Sequence, residues 1–547
     1  MDTGGAELEV TQRDPTATMS PRRKILLAST AGLMAALCVV LAVGCSKTKG
    51  CDGPALKQEQ LLSLRRSAMG TQGSGGGKAS AFLVLPNPID ATEINGVMAS
   101  DSRVVDAGNQ LGLPSLSMPS LLENGFVKVR IRSVEDDLST LAKPDSKGRY
   151  NFEITDVHYS EALAYYSVVE MIRYVETMGF TVAKERPLYV MVRAEGPGGS
   201  DEEPNAIYDH NYLNPSLPRT MRLYGNSKFA PGMDAEMYRH EFGHLFNESA
   251  SGQVGIDFAG DNGAVYTEGA ALHECLADYL ALSYGNKPTI GKWLARNLKG
   301  FAPGEPLRSL EDTGGKMLRF ADVAVNDGRR GPERYAVAEW CGRVLWEIRK
   351  SFLEDDRAVG ALRSDRVVFT ALSRLRRDTS ILQFANELLK ADDKLHCGGH
   401  RETIVSAFEG RGFSFDVEPI TRPVGMTARP FGYTVKDGKV TTSSPKAGAS
   451  VAFDLRITNP NSTVARNVRV RLEADSGSGF FVTKYMQGFG DLAPGATVVV
   501  GEGGLSYASS VAGELDQDAS KGARIRYRLR VLVENGAGAQ QEGEISL

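Results

Sequence analysis

Two histidines and a glutamate fall within one helical turn in the segment His240-Glu241-Phe242-Gly243-His244. Because His240 and His244 are four residues apart, both imidazoles project from one face of a helix and can bind one metal ion. Neutral imidazole suits zinc, and three protein ligands would leave a fourth position for water. Glu241 stands beside that water and can accept a proton as the water attacks a carbonyl. The motif predicts metal-assisted hydrolysis; the alternative is two surface histidines with an ion-paired glutamate.

A third metal ligand is expected within residues 268–279, whose apolar side chains recur at helical spacing. Glu274 is the preferred candidate. Asp278 follows four residues later on the same face and can accept the second N–H of a metal-binding histidine. His273 is the weaker candidate for the ligand, because neighbouring residues on a helix point about 100° apart. The alternative for Asp278 is a solvent-exposed charge, although the Ala, Leu and Tyr residues around it favour a buried helix.

The elements around these residues predict an α+β fold with a β-rich front and a helical back half. Periodicity predicts strands at 126–131 and 188–192, and helices at 160–178, 234–249, 267–284, 335–352, 366–376, 381–389 and 402–408. Beyond about residue 430 the apolar residues alternate, as in the segments 450–457, 468–472 and 525–533. Short alternating strands separated by turn residues predict a C-terminal β-sandwich.

The N-terminus carries signals for export. Arg22-Arg23-Lys24 precedes an apolar run at 25–43, which ends in Leu41-Ala42-Val43-Gly44-Cys45. This arrangement resembles a secretory signal with a bacterial lipobox, so residues 1–45 are expected to direct export and Cys45 to carry a lipid. The alternative is an uncleaved anchor, since about 19 apolar residues can span a bilayer. We expect a cell-envelope protein, attached through the lipid to the outer membrane.

The composition sets wider bounds. The chain has 547 residues, enough for two or three domains. Its 63 basic and 67 acidic residues give no electrostatic reason to expect nucleic acid as a partner. Residues 46–80 are polar and rich in glycine, which predicts a flexible tether.

Three further features could bear on metal binding or on cysteine chemistry. His396-Cys397-Gly398-Gly399-His400 could hold a second metal ion, but a surface loop or a Cys341–Cys397 disulfide is the preferred interpretation. The acidic run Asp201-Glu202-Glu203 could bind Ca²⁺, with a solvated loop as the preferred alternative. Cys275 is expected to pack inward as a small apolar residue.

The zinc motif followed by Glu-x-x-x-Asp on a second helix resembles the gluzincins, and within them the thermolysin and fungalysin families. Asn205-Ala206-Ile207-Tyr208-Asp209 is similar to the edge strand that pairs with the peptide substrate there, which implies substrate binding at Asn205 and Ala206. Residues 339–347 are similar to the downstream helix of those families. The resemblance covers about residues 80–415 and implies a protease domain at 81–430. The region 431–547 resembles Ig-like domains of secreted bacterial proteins.

The chain departs from the pattern of those families in two places. His244 and Glu274 are thirty positions apart, which predicts an inserted loop at about 252–263. The families stabilise the oxyanion with a histidine before the downstream helix, whereas the sequence has no histidine between His273 and His396. Tyr335 falls near that position, and a phenol can donate to an oxyanion, so Tyr335 is a candidate catalytic residue. A packed aromatic at a helix start is the alternative for Tyr335.

These features predict an exported zinc-dependent endopeptidase that acts on polypeptides. The missing oxyanion histidine and the appended sandwich support a second hypothesis from another class. In that hypothesis the protein is a surface binding or adhesion lipoprotein whose gluzincin-like domain is weakly active or inactive.

Overall fold

The computed structural model describes residues 79–547, apart from 94, 96–97, 99–101, 115, 119, 195–204, 210–215, 226–230, 252–265, 297, 299, 313–315, 327–331, 377–378, 437–438, 476–478, 501–510, 519–523 and 547. Four predicted features lie outside the described residues: the signal with Cys45, nearly all of the tether, the acidic run at 201–203 and the inserted loop at 252–263. No helix in the described part of the chain is long and apolar enough to cross a membrane.

The described chain combines short strands with long helices. In chain order the helices are α1 (Pro88–Thr92), α2 (Ser102–Asp106), α3 (Val157–Thr177), α4 (Ala235–Ala250), α5 (Glu268–Gly285), α6 (Lys292–Ala295), α7 (Phe320–Ala324), α8 (Arg334–Asp355), α9 (Gly360–Leu372), α10 (Ile381–His396) and α11 (Arg401–Gly410). The strands are β1 (Ser80–Leu83), β2 (Asn109–Gly112), β3 (Val127–Arg130), β4 (Arg149–Tyr150), β5 (Leu188–Ala194), β6 (Asn205–Asp209), β7 (Arg219–Tyr224), β8 (Thr289–Ile290), β9 (Arg308–Ser309), β10 (Val325–Asn326), β11 (Gly425–Lys436), β12 (Lys439–Ser443), β13 (Ser450–Thr458), β14 (Ala465–Ala474), β15 (Phe480–Lys484), β16 (Met486–Leu492), β17 (Thr497–Val500), β18 (Ala512–Leu515), β19 (Arg524–Leu532) and β20 (Gln540–Ser546).

A four-stranded sheet lies at the front, in the order β3-β5-β7-β6. The first three strands run parallel, and β6 joins the edge antiparallel to β7. Asp156 precedes helix α3, and its side chain accepts the backbone N–H of His158 and so caps the first turn. Nearly every side chain of α3 is buried, which is why this helix shows apolar residues on all sides rather than along one stripe.

The back half is a set of packed helices. Helices α4 and α5 are almost entirely buried, whereas α8 buries one face, on which Trp340 is fully enclosed. Each metal-motif helix has a capped start, because Asp234 accepts the N–H of Glu236 at α4 and Thr267 accepts the N–H of Ala270 at α5. One apolar core runs through the front sheet and all of these helices.

The C-terminal region packs two sheets face to face. One has the strand order β10-β16-β14-β19-β20, and the other has the order β12-β11-β13-β18-β15, with β17 also paired to β13. Alternation in β19 buries Ile525, Tyr527, Leu529 and Val531 in a second core. Strand β11 starts at Gly425 and crosses the expected boundary at 430/431, and Ile420 already belongs to this second core.

The fold is α+β in general, as predicted. The proposed Cys341–Cys397 disulfide is wrong. Cys397 is disulfide-bonded, whereas Cys341 is a free thiol buried on α8, where it contacts the free thiol of Cys275. The α8 residue that contacts His396 and His400, beside Cys397, is Phe352, which lies eleven positions after Cys341 and therefore about 16 Å further along the helix. Cys275 is fully buried, as expected for a small apolar residue.

Candidate metal centre

Close packing of α4 against α5 creates the centre. Gly243 lies between the two histidines of the motif, directly against α5. A Cβ atom at Gly243 would lie 2.5 Å from the Cα atom of Ala277, closer than any real contact. Only glycine lets the two backbones approach this closely, and the approach brings Glu274 opposite His240 and His244.

Three potential ligand atoms meet between these helices. The Nε2 atoms of His240 and His244 are 3.1 Å apart, and Oε2 of Glu274 lies 3.5 Å from the first and 3.7 Å from the second. A triangle with sides of 3.1, 3.5 and 3.7 Å has a point about 2.0 Å from every corner, which is the length of zinc–nitrogen and zinc–oxygen bonds. All three residues are buried. The arrangement is compatible with a bound metal ion.

Asp278 orients the first histidine. Its Oδ1 lies 2.8 Å from Nδ1 of His240, so His240 can donate its Nδ1 proton to the carboxylate and keep Nε2 free for a metal. Arg308, on β9, donates to both carboxylate oxygens, at 2.6 Å from Nε and 2.7 Å from Nη2. Burial opposes ionisation of Asp278, but Arg308 and His240 hold its pKa at about 2. The carboxylate is therefore ionised and fixed in place.

His273 orients the second histidine. Its Nδ1 lies 2.8 Å from Nδ1 of His244, and Asn247 donates to its backbone carbonyl at 2.9 Å. His273 therefore lies behind a ligand and outside the triangle, which Glu274 completes.

The charges around the triangle favour a cation. Burial alone would lower the pKa of His240, but the charge and hydrogen bond of Asp278 raise it to about 10. Burial would likewise raise the pKa of Glu274, yet His244 and His240 hold it well below its ordinary value. Burial and the neighbouring His273 lower the pKa of His244. The carboxylates thus favour positive charge between the imidazoles, which a bound metal ion would supply in place of a proton.

Glu241 lies next to this charge cluster and is only 3% exposed. Its Oε2 has no hydrogen-bond partner within the described residues. Burial raises its pKa to about 7, an effect that His240 opposes and Glu274 strengthens. A buried carboxylate with a vacant acceptor and a pKa near neutrality is suited to accept and release a proton.

Tyr335 stands at the start of α8 and is 38% exposed. Its hydroxyl accepts a hydrogen bond of 2.8 Å from Nη2 of Arg334, and the Arg308 guanidinium lies 5.6 Å from its ring centre. Burial raises its pKa, and so does the nearby Glu274. The phenol therefore stays protonated beside the centre. Because Arg334 occupies an acceptor position of the oxygen, the O–H proton remains available to donate.

Strand β6 carries the predicted substrate-binding residues. Within the described chain it pairs only with β7, so its outer edge is open. Asn205 is exposed and Ala206 half-buried. The Tyr208 hydroxyl donates to Glu248 of α4, and the Tyr208 backbone lies within hydrogen-bonding reach of Glu241. These contacts fix the open edge relative to the metal motif.

The C-terminal sandwich supports the start of α5. The backbone N–H of Gly488, on β16, donates to the Tyr266 carbonyl at 2.6 Å, just before the Thr267 cap. A Cβ at Gly488 would lie 2.5 Å from that carbonyl oxygen. The same strand pairs with β10, which precedes α8 along the chain. One strand of the sandwich thus contacts the segments that lead to Glu274 and to Tyr335.

Sequence reasoning did not single out Arg308 or Arg334 and weighed His273 only as a ligand. All three are brought to the centre by long-range packing.

No protein-family model matches the chain, and neither does any curated protein.

Proposed function

We propose that the protein is an exported, zinc-dependent endopeptidase that hydrolyses peptide bonds with a metal-activated water. The observation that carries the proposal is the buried triangle of His240, His244 and Glu274, next to Glu241, whose Oε2 has no hydrogen-bond partner among the described residues. Two imidazoles and one carboxylate form a donor set that suits zinc and leaves a coordination position open. When bound, zinc would polarise the attacking water and the scissile carbonyl.

Glu241 is the proposed general base. Its Oε2 is free to accept the water proton, and the protonated carboxyl can then pass that proton to the departing amine. Burial keeps bulk water away from the carboxylate, so the proton stays within the site.

Tyr335 is the proposed donor to the oxyanion. Arg334 donates to the phenol oxygen, which makes the O–H more acidic and a stronger donor. Arg308 and Arg334 add positive charge near the ring, where negative charge develops on the substrate. The tyrosine thereby takes the role that a histidine has in the thermolysin and fungalysin families.

The peptide would bind as an added strand along β6. An exposed edge offers backbone donors and acceptors to an extended chain. Asn205 and Ala206 lie on this edge, and Tyr208 links it to α4. Since main-chain hydrogen bonds carry no side-chain information, this mode suits cleavage within many polypeptides.

We further propose a thermolysin/fungalysin-like fold for the region 81–430 and an Ig-like fold for the sandwich. Export through residues 1–45 and a lipid on Cys45 would hold the enzyme at the outer membrane. The sandwich contacts at Tyr266 and β10 favour a structural role for that region over an independent adhesion role.

The proposal is tested with the purified protein and a library of unstructured peptides. We expect internal cleavage that stops with a zinc chelator and returns when Zn²⁺ is added back. Bound zinc without any peptide cleavage would instead support the binding or adhesion hypothesis. Cleavage that persists after complete removal of the metal would exclude both the mechanism and the assigned cofactor.

A further inference from the structure

A second group of metal-binding side chains lies where α10 turns into α11. Asp392 and His396 are one turn apart on α10, and His400 follows the short loop that starts at Cys397. One ligand atom from each of the three residues lies within 4.8 Å of the others. The group shares no residue with the triangle at His240.

Asp392 contacts both the backbone and the ring of His400, at the far end of the loop. Its Oδ1 lies 2.9 Å from Nδ1 of His400, and its Oδ2 accepts the backbone N–H of the same residue at 2.9 Å. The Asp392 side chain is fully buried. On the other side of the ring, Oδ2 of Asp355, at the end of α8, lies 4.0 Å from Nε2 of His400. The His400 imidazole therefore stands between two carboxylates from different helices.

Asp392 and His400 form hydrogen bonds with each other, but these bonds do not involve His396. The Nε2 atom of His396 is buried and has no hydrogen-bond partner within the described residues. The His396 ring meets the His400 ring edge-on, with centroids 5.0 Å apart. Burial, and then His400, lower the pKa of His396 to about 4. A buried ring nitrogen without a partner is costly unless it gains one.

We propose that Asp392, His396 and His400 form a second site for a divalent cation of the zinc class, with Asp355 at its rim. Two neutral imidazoles and a carboxylate suit zinc, cobalt or nickel rather than calcium or magnesium. Zinc–ligand bonds of about 2.0–2.1 Å require donor atoms roughly 3.3 Å apart. On metal binding the three ligand atoms, which lie within 4.8 Å of one another, would close to this separation, and the buried nitrogen of His396 would gain a partner.

A metal ion at this site would connect the ends of three helices in the back half of the fold. It joins the last turn of α10 to His400, the residue before α11, and reaches the end of α8 through Asp355. Because Phe352 of α8 stacks on His400 with centroids 3.8 Å apart, fixing His400 also fixes this packing. Its role is therefore structural, and it does not depend on the proposed peptidase activity.

The test is zinc stoichiometry, measured by titration of the metal-free full-length protein with Zn²⁺ and by metal analysis after dialysis. We expect two equivalents in the wild type and one in His396→Gln, whose metal-free fold should be unchanged because its ring nitrogen has no partner to lose. His400→Gln should also bind one equivalent. His158→Gln is the matched control, since this half-buried histidine contacts one carboxylate, Glu161, and should keep both equivalents.

His240→Gln separates the two sites. In that variant the one zinc ion that still binds, at the second site, should raise the unfolding temperature. The double variant His240→Gln/His396→Gln should show no such rise. Two equivalents retained in both His396→Gln and His400→Gln would overturn the second site. A single wild-type equivalent that disappears in His240→Gln would overturn it too, while leaving the first site intact. A single equivalent that disappears only in His396→Gln would support the second site and contradict the first.

Discussion

The imidazole rings of His244 and His273 lie nearly parallel, with an interplanar angle of 9°, and their Nδ1 atoms are 2.8 Å apart. If Nε2 of His244 binds a metal, its Nδ1 carries the proton and donates it to His273. His273 then accepts through Nδ1 and carries its own proton on Nε2.

Replacing His273 should therefore weaken metal binding. We expect His273→Ala to lower zinc affinity by roughly 10- to 100-fold, because the acceptor that orients His244 is lost. His273→Asn should recover most of the affinity, since Oδ1 of Asn sits at the same place along the side chain as Nδ1 of His. Competition with a chromophoric chelator measures both variants. Equal affinity in His273→Ala and the wild type would show that the pair does not orient the ligand.

Gly243 is expected to be intolerant of any side chain. In Gly243→Ala the new methyl would meet the Ala277 backbone at 2.5 Å, so α4 and α5 must move apart. We expect a loss of about 1–3 kcal/mol in the free energy of unfolding and weaker zinc binding, since the triangle would widen. Urea denaturation measures the first effect. Gly285→Ala is the control, because its nearest neighbour, a terminal nitrogen of Arg239, would lie 3.9 Å away.

Tyr335→Phe removes the proposed oxyanion donor while keeping the ring. We expect kcat to fall by roughly 10²-fold, with little change in KM or zinc content, because the lost hydrogen bond forms in the transition state. Tyr433→Phe, in the sandwich, should leave kcat unchanged. An unchanged kcat in Tyr335→Phe would assign the residue to packing alone.

The buried junction between α5 and the sandwich predicts a pH-dependent stability. Burial, and then Glu534 and Asp491, raise the pKa of Glu268 to about 8, although its Oε2 accepts the Ile381 N–H at 2.7 Å and Arg466 opposes the shift. Burial also raises the pKa of Asp491 to about 6, against the charge of Arg466. At this junction the folded protein therefore holds protons that the same two carboxyls of the unfolded chain release at lower pH.

Stability should consequently fall as pH rises from about 4.5, the ordinary pKa of Glu268, to about 8. We expect Glu268→Gln to flatten this fall, because the amide stays neutral and its oxygen can still accept the Ile381 N–H. Urea denaturation at several pH values, compared between the variant and the wild type, isolates this residue from others that titrate. Parallel curves for the two proteins would contradict the prediction.

Local patterns predicted the parts of the fold that depend on neighbouring residues. The helix that bears His240 was predicted at 234–249 and runs from Ala235 to Ala250, because its cap and its apolar spacing are both local. The histidine and glutamate spacing likewise placed the three ligand candidates on facing helices. Helix α10 was predicted to end at 389 but continues to His396, because the charged residues after Leu389 were not recognised as helical.

Long-range contacts could not be predicted in the same way. Arg308 reaches Asp278 from a two-residue strand, and no periodic pattern marks it. Strand β10 joins the sandwich although it lies a hundred residues earlier in the chain than β11, so it was not predicted. The Cys341–Cys397 pairing failed because cysteine spacing carries no information about which helix face each thiol occupies.

The central claim is tested most directly by Glu241→Gln. The account predicts that this variant retains one zinc ion at the His240 triangle, unfolds at the wild-type temperature and loses peptide cleavage by several orders of magnitude, because only the proton acceptor has been removed. Cleavage at the wild-type rate by this zinc-loaded variant would contradict the proposed mechanism.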